Sequence, residues 1–199
     1  MASDFHTHHL PAPGVMALLS GDVPVSGCFN SLQYHPWHLP ETFSPPDDIA
    51  KLAGFHALGE VGLDKLRGPE LRIQQEFLRY FFTVAQDMNK PVVLHIVKCY
   101  QELFELIKPF RLKLLLHGFC GSRELLQELW KRDITVSFSS KILYRQDLLA
   151  QLSHPAGSFG FESDDDQATD IRNILTRSQI KDVETITDRN FNNFIMVQK

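Results

Sequence analysis

The sequence predicts an α/β protein with parallel strands, and three observations predict it. Short β-type runs alternate with helical patterns, as crossover helices between parallel strands require. Almost every strand-like run ends in a histidine or an acid. The 199 residues are 43% hydrophobic and 22% charged, the makeup of one globular domain with a sizeable core.

Taken in order, the strand candidates are 3–8, 25–33, 56–63, 91–97, 112–119, 135–139 and 158–163. Gly68 to Asn89 carries Leu71, Phe77, Leu78, Phe81, Phe82 and Ala85 at helical spacing. Ser122 to Arg132 opens on Ser-x-Glu and runs through Leu125, Leu126, Leu129 and Trp130, a second amphipathic helix. The stretch 179–197, with Val183, Ile186, Phe191 and Phe194, is a further helical candidate that could instead serve as an edge segment. Pro11 to Pro24 and Trp37 to Asp48 are rich in Pro and Gly and read as loops. No repeat or low-complexity linker interrupts residues 1–199, which read as a single domain. Seven strand candidates predict a TIM-like (β/α) barrel, reduced or distorted, with about seven strands. A gap in such a ring leaves an unpaired strand edge, which makes a homodimer an alternative to a monomer.

Composition narrows the function. A formal charge of −4 and a pI near 6.1 give no global basic field, which argues against an extended nucleic-acid binder. Cys28, Cys99 and Cys120 show no C-x-x-C pairing and predict a reducing, cytoplasmic compartment. No basic flank precedes an apolar stretch at Met1–His6, and no apolar run approaches membrane-spanning length, so neither export nor membrane insertion is expected.

The chemistry collects at strand ends. In His6-Thr7-His8 the two-residue period of a strand points both imidazoles to one face. Glu60 stands in an otherwise apolar strand, Val92-Val93-Leu94 and Leu114-Leu115-Leu116 run into His95 and His117, and Phe159-Gly160-Phe161 leads to Asp164. Singly, such a histidine is more often a hydrogen-bonded core residue, and such an acid a helix cap. Jointly they point elsewhere, because the carboxyl ends of barrel strands converge on one mouth. Four imidazoles and two carboxylates gathered there call for positive charge, met by one or two divalent ions held by His6, His8, Glu60, His95, His117 and Asp164. Mixed nitrogen and oxygen donors suit zinc, manganese, iron or nickel better than calcium, with magnesium expected to keep more oxygen ligands and water. Such ions acidify water, so hydrolysis is the expected reaction, with Asp164 as ligand and general base and Glu60 as bridging carboxylate.

These motifs together resemble the TatD family of metal-dependent deoxyribonucleases, within the wider amidohydrolase-like barrels. The likeness runs through Asp4-Phe5-His6-Thr7-His8, Tyr34-His35-Pro36, Ala57-Leu58-Gly59-Glu60-Val61-Gly62-Leu63-Asp64, the helix ending Asn89-Lys90-Pro91, His95, His117-Gly118-Phe119-Cys120-Gly121 and Glu162-Ser163-Asp164. The resemblance implies one metal on His6, His8, Glu60 and Asp164, a second on Glu60, His95 and His117, and His35 facing a substrate phosphate. It also implies DNA ends or single-stranded DNA as substrate. The chain departs from the family in being shorter, with one βα unit expected to be missing between His8 and His35. Val97 and then Lys98 stand where the family has arginine two residues after the histidine, Asp165-Asp166-Gln167 replaces Ala-Pro-Tyr, and a basic loop is absent.

Around the centre, Trp37 reads either as a stacking platform for a base or as a plug packed in its loop. Lys98, Lys141 and Arg145 are the basic residues that best fit near the mouth as phosphate contacts, with solvated surface charge as the default. Asp165 and Asp166 are expected to cap a helix starting near Gln167. Two other functions stay open beside a phosphodiesterase: hydrolysis of a small phosphoester or cyclic amide, and metal binding without turnover.

Overall fold

A computed structural model describes residues 2–196, so residue 197 of the helix expected over 179–197 lies outside the described residues. The strands are β1 Ala2–Thr7, β2 Val15–Gly21, β3 Phe29–Leu32, β4 Ala57–Asp64, β5 Val92–Val97, β6 Leu114–Leu116, β7 Ile134–Phe138 and β8 Phe159–Phe161. They form a closed barrel in sequence order, every neighbouring pair parallel. The TIM-like barrel is therefore present, and with eight strands rather than seven.

The additional strand is β2, inside the stretch read as a loop. Val15-Met16-Ala17-Leu18-Leu19 is a continuous apolar run, as strands buried on both faces show, but Pro11, Pro13, Gly14, Gly21 and Pro24 crowd it. No strand is missing from the ring. What the shortened region lacks is helices: 8–14 and 22–28 link β1 to β2 and β2 to β3 without one, and β3 leads to β4 through 3-10 turns at Pro36–His38 and Ile49–Gly54. With the ring closed among the described residues, the unpaired edge that argued for a dimer is absent.

From β4 onward the βα alternation is regular. Helix α1, Leu71–Asp87, buries Ile73, Phe77, Leu78, Phe81, Phe82 and Ala85 against the ring. Helix α3, Arg123–Trp130, starts where Ser122 accepts the Leu125 N–H at 3.2 Å. Two short helices that the sequence analysis left unassigned, α2 Tyr100–Leu106 and α4 Gln146–Leu152, fill the remaining crossovers. After β8 come α5, Ile171–Ser178, and α6, Val183–Ile195. The cap of α5 is Asp170, which accepts the Arg172 N–H at 2.9 Å, so this helix starts later than expected from Asp165 and Asp166.

Helix α6 floors the barrel. Phe191, Phe194 and Ile195 pack against an interior layer of Phe5, Leu18, Ala57, Val93 and Leu115. Asn190 donates to the Phe159 carbonyl, and Phe191 meets Phe29, both residues being first in their strands, so the helix crosses the amino ends. Gly160 is required by this layer, since a Cβ there would lie 2.2 Å from the Phe5 ring. The floor leaves the opposite, carboxyl-end mouth for chemistry.

Candidate metal centre

The carboxylate of Glu60 is the hub of the mouth, and its two oxygens face two different sets of imidazoles. Oε2 lies 3.3 Å from His6 Nε2 and 3.2 Å from His8 Nε2. Oε1 lies 2.9 Å from His95 Nδ1, 2.7 Å from His117 Nε2 and 3.2 Å from His35 Nε2. Asp164 stands on the first side, with Oδ1 3.6 Å from His6 and 3.8 Å from His8. The six expected ligands are thus brought together, and His35 joins them. His6, His8 and Glu60 offer ligand atoms within 4.8 Å of one another, as do His6, His117 and Asp164, and also His35, Glu60 and His95.

Local structure explains the convergence. β1 slips register between Asp4 and Thr7, the interval that contains His6, and His6 and His8 both face Glu60. The backbone before Glu60 is fixed by the Gly59 carbonyl, which accepts hydroxyls from Ser20 at 3.1 Å and from Ser31. Asp164 takes a left-handed conformation, φ 53°, that aspartate tolerates better than most residues. There it is clamped to β1: its N–H donates to His6 O at 3.0 Å, and its carbonyl accepts from His8 N–H at 3.2 Å.

Burial and charge oppose each other here. Burial raises the Glu60 carboxyl, but the His117 charge and the close approach of the His117, His35 and His6 imidazoles outweigh it and hold Glu60 far below the usual carboxylate range. Burial lowers His117, and the Glu60 charge overrides it to push the imidazole up to about 9. His6, fully buried and beside His117, is lowered. Among the described residues, both ring nitrogens of His6 and Nδ1 of His117 are buried without a hydrogen-bond partner. Orphaned imidazole lone pairs around a shared carboxylate fit divalent cations, whose binding would satisfy both.

The residues proposed for substrate lie at the rim. His35 Nδ1 accepts the Trp37 N–H at 3.2 Å, so a neutral His35 carries its proton on Nε2, the atom turned to the centre. Trp37 is 39% exposed, with the Arg67 guanidinium 4.4 Å over its ring and its indole N–H donated to Asp64. Lys98 directly follows β5 and Lys141 lies in the turn after β7; both are exposed, with no hydrogen bond or ion pair to the cluster among the described residues. Arg145 is spent on Asp147 and on the carbonyls of Cys120 and Gly121.

Sequence reasoning gave no role to three buried acids. Glu162, fully buried and raised to about 7 chiefly by burial, accepts the Gly118 N–H at 2.7 Å and the Ser137 hydroxyl, 3.9 Å from His117 Nδ1. Asp4, also raised to about 7 by burial, accepts from Ser163 Oγ at 2.6 Å. Asp64 touches His95. The signal available was an acid inside an apolar run, which Glu162 and Asp64 both show.

Fold and site define a class: a parallel (β/α) barrel with a histidine and carboxylate centre at its mouth. Residues 25–194 match the family described as TatD related DNase, and the chain belongs to the TatD family. Among curated proteins it is 27% identical over 90 residues to an uncharacterized metal-dependent hydrolase of Methanocaldococcus jannaschii, covering 45% of this chain and 35% of that protein. It is 29% identical over 106 residues to the uncharacterized metal-dependent hydrolase YcfH of Escherichia coli, covering 50% of this chain and 40% of that one. The matches thus span well under half of those relatives' lengths. The crystal structure of YJJV, a TatD homologue from Escherichia coli, superposes with a TM-score of 0.74 at 18% identity over 98% of this chain and 97% of that one, a likeness of fold. A TatD-family hydrolase from Entamoeba histolytica gives 0.60 at 16% identity over 75% and 66%.

Proposed function

We propose that this chain is a metal-dependent hydrolase of phosphodiester bonds acting on DNA ends or short single strands. The observation that carries the reading is the Glu60 carboxylate, whose two oxygens serve two separate histidine sets. Such a carboxylate would hold divalent ions, of zinc, manganese, magnesium or nickel type, together with His6, His8 and Asp164 on one side and His95 and His117 on the other. Bound there, the ions would supply Lewis acidity and acidified water, and could clamp the oxygens of a phosphoryl group.

The protein's own groups then have distinct tasks. Asp164, with its side chain 36% exposed at the mouth, can reach an incoming water and accept its proton. His35 presents Nε2–H as a donor to an anionic oxygen of the substrate, its tautomer set by the Trp37 backbone. Trp37 offers the exposed part of its ring to a base, and Lys98 and Lys141 supply positive charge near the mouth. Asp165 and Asp166 beside Asp164 add negative charge there, which favours a small phosphoester as the second reading over a long polyanion.

Purified protein incubated with a labelled single-stranded oligonucleotide and Mg²⁺, Mn²⁺ or Zn²⁺ tests this. Metal-dependent loss of the strand, abolished in Glu60→Gln, is expected. A strand that survives every metal while small phosphoesters are cleaved would replace the DNA reading with the second one.

A further inference from the structure

Asp64 ends β4 as a buried acid, 3% exposed, with its carboxylate turned to the His95 imidazole. Its Oδ2 lies 3.3 Å from His95 Nε2 and accepts the Trp37 indole N–H at 2.6 Å. Its Oδ1 accepts the Leu66 N–H at 2.8 Å. Gln74 of α1, itself buried, grips the backbone from both sides: Asp64 N–H donates to Oε1 at 2.7 Å, and Nε2 donates to the Asp64 carbonyl at 3.0 Å. The carboxylate is therefore held by Trp37 in the turn after β3 and by Leu66 in its own loop, with its backbone fixed by Gln74 of α1, which keeps it turned to His95.

An ionised carboxylate can only accept, and His95 faces one at each nitrogen, Asp64 at Nε2 and Glu60 at Nδ1. A neutral imidazole has one N–H, and a cation held with Glu60 would take the lone pair of Nδ1, the atom 2.9 Å from Glu60 Oε1 and 3.3 Å from His117 Nε2, leaving the proton on Nε2 for Asp64. A bare lone pair among a carboxylate oxygen and a second imidazole is unfavourable alone and favourable around a cation.

We propose that Asp64 is a positioning residue that fixes His95 in the Nε2–H tautomer and so dedicates Nδ1 to the metal on the His95 and His117 side, with Trp37 holding Asp64 in place. This rests on the metal-centre reading above and extends it to a histidine ligating through the nitrogen nearer its own backbone. Trp37 thereby acts on the centre through its indole N–H, whatever its ring face does with substrate. Outer partners of this kind are worth about 10–100-fold in metal affinity when removed.

The test is a Co²⁺ titration of metal-free protein, followed by the visible absorption of the bound ion, on wild type, Asp64→Asn and Trp37→Phe. Asparagine keeps an acceptor for Leu66 but loses the charge, and can turn its amide N–H₂ towards His95. The expected result is two binding steps in wild type. In Asp64→Asn one of them weakens about 10–100-fold with a changed spectrum, while the other stays as in wild type. Trp37→Phe, which retains the carboxylate, weakens the same step by less. If Asp64→Asn does not fold, Trp37→Phe decides on the same terms. Wild-type affinity at both steps in the folded variants overturns the proposal and leaves the metal reading standing. A wild type that binds no Co²⁺ overturns both.

Discussion

Proton uptake at single residues sets the pH behaviour of the metal-free protein. His117 titrates at about 9 when folded against an ordinary 6.5. Its contribution to stability is complete below pH 6.5 and lost as pH rises through 9. Glu162 and Asp4, raised to about 7, act in the same direction, because ionising them inside the fold costs what it does not cost in the unfolded chain. Glu60, depressed far below its ordinary value, is ionised in both states throughout this window and contributes a constant. The thermal midpoint of metal-free protein should therefore fall between pH 6.5 and 9, measured by circular dichroism in chelator. A flat or rising profile would show that His117 is not paired with an ionised Glu60. His6, His8, His95, His117 and Asp164 were legible as candidates because each ends or directly follows a strand-like run, and Glu60 because it is an acid inside an otherwise apolar one. Asp64 and Glu162 gained no role because their partners, His95 and Gly118, lie far along the chain and only the folded ring sets them side by side.

At the scale of elements, the helices with long apolar spacing were legible and β2 was not. A strand buried on both faces has no alternation to show, and proline and glycine on either side outweighed its five apolar residues. The short helices α2 and α4 carry too few turns for their periodicity to stand out. As a member of β2, Leu18 lies in the sealed layer between Phe5 and α6. Leu18→Ala should then lower unfolding free energy by about 2–5 kcal/mol in a urea titration. A loss within about 0.5 kcal/mol, as at a surface site, would mean that 15–21 is the loop its flanks suggest.

Over the whole molecule, one face is floored by α6 and the other gathers the charge. The rim of that face also carries exposed apolar side chains, Leu10, Val23, Trp37, Leu66 and Tyr144, in the segments following β1, β2, β3, β4 and β7. If Lys98 and Lys141 are the groups that neutralise phosphates at the mouth, a chain of net charge −4 makes only two such contacts there. Oligonucleotide affinity should then depend weakly on salt, with a log–log slope of about −1.4 for two phosphates on a single strand. A much steeper slope, read by fluorescence anisotropy across a salt series, would place further basic residues on the binding path.

The floor has a consequence for how the protein comes to exist. Ser3 on β1 bonds Asp188 on α6, 185 positions later, and β1 also completes the ring by pairing with β8. During vectorial synthesis the first strand emerges long before either partner does. Until they arrive, the nascent chain carries an open edge and a roofless apolar channel, both of which the finished protein hides. Such intermediates are prone to aggregate. Completion must wait for β8 and α6 to leave the ribosome, so the vulnerable period of this barrel is set by the time taken to translate from β1 to α6 and by what shelters the edge meanwhile.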